Sequence, residues 1–472
     1  MGSGQVTDWQ GKHVTVAGLG VSGLPAARVL HGLGARVTVV NDGDDERARA
    51  QAAELEALGV TVRLGDGATL PDGTELIVTA PGWKPDKPLF AAAERAGVPV
   101  WGDVELAWRL RGPDAAPWLA VTGTNGKTTT VQMLASILEA AGLRTAAVGN
   151  IGVSLLDAVL GEERYDVLAV ELSSYQLHWA PSLRAHSAAV LNLAPDHLDW
   201  HGSMEAYAAD KGHIYEGNRV ACVYNMADKA TEDLVREADV EEGCRAVGFT
   251  LGTPGPSQLG VVDGILVDRA FVENRQQNAQ ELAEVSDVNP PAPHNIANAL
   301  AAAALARAFG VPATAVRDGL RAFTPDAHRI AHIADVDGVA YVDDSKATNT
   351  HAAEASLAAY ESIVWIAGGL AKGATFDELV TRAAQRLRGV VLIGADRALI
   401  REALARHAPE VPVVDLDRTD TGAMLAAVQE ARRLAVAGDT VLLAPACASM
   451  DMFTNYNKRG DAFAEAVRGL GA

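Results

Sequence analysis

Residues 120–130 read "AVTGTNGKTTT", and the fold of the whole chain turns on that stretch. The apolar run "WLAV" (118–121) leads into it, glycines interrupt at 123 and 126, and a helical pattern opens at Lys127. A strand that ends in glycines and restarts as a helix leaves backbone N–H groups unpaired at the helix start, an arrangement suited to phosphate. Gly123, Thr124, Asn125 and Gly126 would wrap the phosphates, with Lys127 as the charge beside the terminal ones. Thr128, followed by Thr129, would place a hydroxyl on Mg2+. The spacing departs from the usual nucleotide loop, which has a Gly five positions before the Gly-Lys pair. Here that position is Val121, so the loop is expected to wind differently.

A second turn of the same kind lies near the start. "GLGVSG" (18–23) follows the strand-like "HVTVAG" and precedes the helical "LPAARVLHGLG", with Asp42 downstream. These are the contexts of a dinucleotide-binding turn. By itself the turn fits an NAD-type dinucleotide, another nucleotide diphosphate, or no ligand at all.

Around the two turns, strand and helix patterns alternate, which implies parallel sheets with helical crossovers. Joins at "RGPDAAP" (111–117) and "FTPDAH" (323–328) divide the chain into three α/β parts, residues 1–111, 112–325 and 326–472. In the last part "VAYVDD", "SIVWIAGG", "GVVLIG" and "TVLLAPA" are the strand candidates, and residues 250–293 are expected to form loops and short strands. Length agrees, since 472 residues exceed one ordinary core.

A net charge of −20 argues against a nucleic-acid partner, which needs a basic face. Cys222, Cys244 and Cys447 form no metal spacing and are expected to be reduced thiols. The first residues lack an apolar leader core, and the Ala-rich stretch at 294–309 is too short and too interrupted for a membrane span. The expectation is a cytoplasmic protein without membrane insertion.

A phosphate loop with Mg2+ needs a carboxylate nearby. "VLAVELSSYQ" puts Glu171 at the end of an apolar strand, on the same sheet edge as the loop. "APDHLDWH" follows another strand, where His197, Asp196 and Asp199 are competing metal ligands.

With these on the page a resemblance becomes specific. "VTGTNGKTTT", "GNIG" (149–152), "ELSSYQL" (171–177), "LNLAPDHLDWHGSMEAYAADK" (191–211), "HNIANALAA", "DDSKATN" (343–349) and "PACASMDMFTNYNKRGDAF" (445–463) occur in this order. Together they resemble the Mur ligases across residues 10 to 470. "ELSSYQL" and "ACASMDMFTNY" point to the branch that adds D-glutamate to UDP-N-acetylmuramoyl-L-alanine.

The resemblance implies a Rossmann-like first domain for the UDP-sugar, a central P-loop ATPase-like domain with a mostly parallel sheet, and a Rossmann-like C-terminal domain for the amino acid. It implies ATP and two Mg2+ ions, the metals held by Thr128, Glu171, His197 and a carbamylated Lys211, with Lys127 on the transferring phosphoryl group. Asn295, Arg329, Asp344 and Lys346 would serve ATP. Val21, Ser22, Asp42, Gly82, Asn150, Ser173 and Gln176 would serve the UDP-sugar. Thr348, Lys372, Ser449 and Tyr456 would serve D-glutamate. A monomer that closes its third domain over the second is the implied form, and a sibling ligase taking another amino acid is the nearest alternative. Two departures stand out. "VVNDGDD" leaves Asn41 or Asp42 as the uracil partner, and the family's Ser-Pro-Gly-Ile loop is here Ala80-Pro81-Gly82-Trp83.

Overall fold

The computed structural model describes residues 8–418, 420 and 422–471; the residues before Asp8, read above as lacking a leader core, lie outside that range. The chain folds as two compact units. One runs through Val288 and resumes over Ile296–Phe323; the other comprises Asn289–Asn295 and the chain from Thr324 onward.

The first unit carries two sheets. The smaller is wholly parallel, in the order Thr61–Leu64, Arg36–Asn41, His13–Ala17, Leu76–Thr79, Val100–Gly102. His13–Ala17 is buried along its whole length, as a β-branched apolar run covered on both faces should be. The strand order reverses on either side of it. Such a switch opens a crevice at the carboxyl ends of the strands, and residues 18–23 lie at its mouth.

The larger sheet has nine strands. Trp118–Thr122 sits between Ser187–Val190 and Leu168–Glu171, all parallel. Its carboxyl end therefore delivers the 123–127 loop between Glu171 and the segment that follows Val190. The polar stretch before residue 293 forms Gln258–Val262, Ile265–Asp268 and Gln280–Glu284, paired antiparallel at one edge. The Ala-rich helix is Pro293–Ala308, and Ala299 to Ala306 are buried all round, because small side chains let neighbouring backbones close on every side. No described helix is long and apolar enough to cross a membrane.

One hydrophobic core spans both sheets. The helix Asp103–Leu110 contributes Leu106 and Trp108, and Trp108 meets Trp118 edge to face at 5.0 Å between ring centroids. The join at 111–117 thus links two sheets across continuous packing.

The second unit holds a six-stranded sheet in the order Ala331–Val336, Val339–Asp343, Thr440–Leu443, Ile363–Gly368, Leu387–Ile393, Val413–Asp415. Only the first pair is antiparallel. The four central strands match the apolar runs read from the sequence. The two edge strands carry alternating or charged residues and gave no comparable run.

Candidate active site

The 123–127 loop is wound through two left-handed glycines, Gly123 (φ 152°) and Gly126 (φ 86°), the second capping the helix Lys127–Ala140. A Cβ on Gly126 would collide with Asn298, and one on Gly123 would press on Leu191 at 3.0 Å, so both positions need glycine. The departure at Val121 now has a reason: that residue is a fully buried strand residue, and the turn begins only at Gly123. Asn192 laces the loop from the neighbouring strand end. Its Oδ1 accepts from Asn125 N at 2.8 Å and its Nδ2 donates to Asn125 O at 3.0 Å.

Two lysines converge on one carbonyl. Lys127 Nζ and Lys211 Nζ each donate to Gly123 O at 2.9 Å. Lys211, on the helix Met204–Gly212, is only 2% exposed and also reaches Thr122 Oγ1 at 3.3 Å. Burial, and then the charge of Lys127, drive its ammonium well below the ordinary lysine value.

Glu171 is equally hidden, at 1% exposure. Asn150 Nδ2 donates to its Oε1 at 2.9 Å, while Oε2 is buried with no partner among the described residues. A buried carboxylate oxygen left open beside a phosphate loop fits a hard cation. Thr128 lies partly exposed in the first helical turn. His197 stands in a left-handed conformation (φ 56°) at the start of the short helix Leu198–His201, packed on Tyr175 at 4.9 Å. Burial lowers its pKa, Asp196 opposes this, and Lys127 and Lys211 add to the lowering. No three His, Cys, Asp or Glu side chains gather as a metal cage among the described residues.

On the first sheet's crevice, Ser22 Oγ donates to Asp103 Oδ2 at 2.8 Å, and Val21 is 84% exposed. Asn41 Oδ1 accepts from Leu19 N at 3.1 Å, whereas Asp42 accepts from Lys87 at 2.5 Å. Ser173 and Gln176 form a reciprocal capping box on the helix Ser174–His178. Gly82 O accepts from Trp200 Nε1 at 3.4 Å.

In the second unit Asp344 is buried, held by Ser356 and by Ile330 N at 3.4 Å; burial raises its pKa to about 6. The nearby charge of Arg329 opposes that rise. Lys346 Nζ lies over the Tyr456 ring at 4.0 Å, and Thr348 N donates to Lys346 O at 2.8 Å. Lys372 has φ 50°, and Ser449 is buried. Asn295 Nδ2 reaches Pro290 O at 3.3 Å.

Comparison with known proteins agrees with this geometry. The Mur ligase middle domain model matches residues 121–306, and the Mur ligase, glutamate ligase domain model matches residues 328–447. A UDP-N-acetylmuramoylalanine–D-glutamate ligase of Streptomyces avermitilis is 91% identical, covering 99% of this chain and 100% of its own. The chain belongs to this branch of the Mur ligases. The ligase of that name from Thermobifida fusca is 61% identical over 98% of this chain and 99% of its own. Solved structures share the fold at lower identity. A pseudomurein peptide ligase type C of Methanothermus fervidus has TM-score 0.57 and 17% identity, covering 97% of this chain and all of that one. MurF ligase of Thermotoga maritima in complex with ADP has TM-score 0.56 and 15% identity, covering 98% and 96%.

The structure of this Mur ligase adds residues that the sequence reading did not single out. Asp210 accepts from His178 Nδ1 and from His201 Nδ1, both at 2.8 Å, while His201 Nε2 lies 2.9 Å from Ser174 Oγ. Burial works against the Asp210 carboxylate, but the two imidazoles outweigh it and hold its pKa low. This network braces the helix of Lys211 from behind. Its sequence signal was only a His and an Asp among many. Asp103 was missed for the same reason.

Proposed function

We propose that this chain joins D-glutamate to UDP-N-acetylmuramoyl-L-alanine at the expense of ATP, releasing ADP and phosphate, in the cytoplasm and as a monomer. The observation that carries the reading is the meeting of Lys127, Lys211, Glu171 and His197 around a glycine loop in a chain 91% identical to a ligase of that name.

A free carboxylate resists an amine because oxide is a poor leaving group. Transfer of the γ-phosphoryl group to the alanyl carboxylate makes an acyl phosphate. The D-glutamate amine then attacks the acyl carbon, the C–N bond forms as the acyl C–O bond breaks, and inorganic phosphate leaves while the nitrogen gives up a proton to solvent. Two anions must meet in the first step, so charge neutralisation and positioning dominate the catalysis. Lys127, now resting on loop carbonyls, is placed to turn to the γ-phosphate. The loop N–H groups hold the other phosphates. Glu171 and His197, with the Thr128 hydroxyl, would hold Mg2+, which when bound screens the phosphate and carboxylate charges.

Lys211 serves this centre as a carbamate. Carbamylation needs a neutral amine, and its burial beside Lys127 supports one. The product carries a negative charge and would set it beside the Lys127 ammonium, both lysine nitrogens meeting at Gly123 O. It would also supply a second metal position. In the C-terminal unit, Arg329, Asp344 and Lys346 serve the nucleotide, while Thr348, Lys372, Ser449 and Tyr456 serve the two carboxylates of D-glutamate. The domain limits 1–111, 112–325 and 326–472 mark the three binding tasks.

Phosphate release from ATP and Mg2+, with UDP-N-acetylmuramoyl-L-alanine and a panel of amino acids, tests the reading. Release that requires both the sugar nucleotide and D-glutamate supports it. Release with another amino acid in place of D-glutamate would transfer the chain to a sibling activity.

A further inference from the structure

The loop Ala80–Lys87 does work that the functional reading leaves unassigned. The glycine turn at 18–23, Gly-Leu-Gly-Val-Ser-Gly, contains no cation, yet a nucleoside diphosphate brings at least two negative charges to it. Trp83 closes over that turn. A Cβ built on Gly18 would lie 2.8 Å from Trp83 Nε1, and one on Gly67 would lie 3.0 Å from Trp83 Cη2. The indole is therefore wedged between the phosphate turn and the turn after Leu64. Its outer face is fixed edge-on by Phe90 at 6.2 Å. Its Nε1 makes no hydrogen bond to any described residue, so an immobilised donor stands free beside Gly18.

Lys87 supplies the missing charge. Its ammonium rides 4.7 Å from the centre of the same indole and is held by Asp42 Oδ2 at 2.5 Å. The carboxylate of Asp42 is about half exposed, so it can yield the ammonium to a stronger anion.

We propose that Trp83 and Lys87 are substrate-binding residues, the indole N–H and the ammonium together gripping the diphosphate of the UDP-sugar at the glycine turn. Asp42 is the resting partner of Lys87, which turns to the diphosphate when the nucleotide enters. The same loop touches the His197 segment, through Lys84 Nζ to Asp199 O at 2.7 Å and through Gly82 O. Truncating Trp83 to Ala would loosen both ends, so Trp83→Phe, which keeps an aromatic ring and removes the N–H, is the informative change.

This inference rests on the UDP-sugar reading above, and one experiment separates the two. Calorimetry without ATP measures binding of UDP-N-acetylmuramoyl-L-alanine, and of UDP and UMP, to the full-length protein. Trp83→Phe should weaken the sugar nucleotide about five-fold. Lys87→Met should weaken it about ten-fold or more, flatten its salt dependence and erase the preference for UDP over UMP. Lys87→Arg should restore most of the affinity. ATP binding should be unchanged in all three, which shows the fold intact. Lys87 is at the surface, so its variants keep the fold even if Trp83→Phe does not. Variants that bind within about two-fold of wild type would overturn the inference alone. A wild-type protein that ignores the sugar nucleotide would overturn the functional reading, and this inference with it.

Discussion

The turn at 18–23 and the loop at 123–127 are built to one plan, a strand ending in glycines before a helix, yet they hold their shape by opposite means. The first has few ties from its own side chains, although Trp83 packs against Gly18. Its helix begins at Gly23 without a side-chain cap bond, Val21 stands in solvent, and Ser22 is tied only to Asp103. The second is laced by Asn192, Lys127 and Lys211, with two lysine nitrogens on one carbonyl. Binding a diphosphate that does not react needs N–H groups, room and a charge that a neighbouring side chain can bring when the ligand enters. Moving a phosphoryl group between anions needs charge held at a fixed place before substrates arrive. On the proposed function, the difference between the loops is the difference between holding a substrate and reacting with one.

The sharpest way to break this contrast is to remove charge from each side. Lys127→Ala should lower kcat/KM for phosphate release by at least about a thousand-fold, because it removes the loop's cation from the transferring phosphoryl group. Should Lys127→Ala keep a tenth of the activity, the second loop would be a holder like the first.

Lys211→Met should be nearly as damaging to activity, and at the same time stabilising. The buried lysine has a lowered folded pKa, so the unfolded chain binds more protons between that value and 10.5. Its cost to stability is full at low pH and fades as pH rises toward 10.5. Denaturant titrations near pH 7 should show the variant more stable by about 1–3 kcal/mol, with a shallower rise of stability with pH. In bicarbonate enriched in 13C, the wild type should give a carbamate carbon signal that the variant lacks.

Gly126→Ala combines a left-handed backbone with a collision at Asn298, and should cost about 1–3 kcal/mol of stability and most ATP affinity. Thermal unfolding with and without ATP would register both. The smallest effect belongs to the turn at 18–23. Ser22→Ala should raise KM for the sugar nucleotide about two- to ten-fold by freeing Asp103, leaving KM for ATP unchanged. A fall in kcat instead would mean that the first turn also orients the reacting carboxylate.

Much of this was legible in the chain. The glycine loops and the apolar strands before them follow from local backbone preference, and the structure places them within a residue or two of the sequence reading. Glu171 drew attention only through its pairing with the loop, and its burial came from the structure. The supporting groups were not legible. Asp210, His178 and His201 are ordinary residues until a helix and two loops pack together, and the edge strands Ala331–Val336 and Val413–Asp415 owe their form to pairing with a neighbour.

The sequence by itself determined the α/β class, the two glycine-rich strand-to-helix turns and the resemblance to the Mur ligases, since each depends on residues close together along the chain. Only the tertiary structure decided that Lys211 is buried against Lys127, that a Glu171 oxygen is left open, that Asp42 pairs with Lys87, and that Trp83 lies on Gly18. Charge state and donor availability depend on what surrounds a group in space. That surrounding comes from segments far apart in the chain, and no local pattern records it.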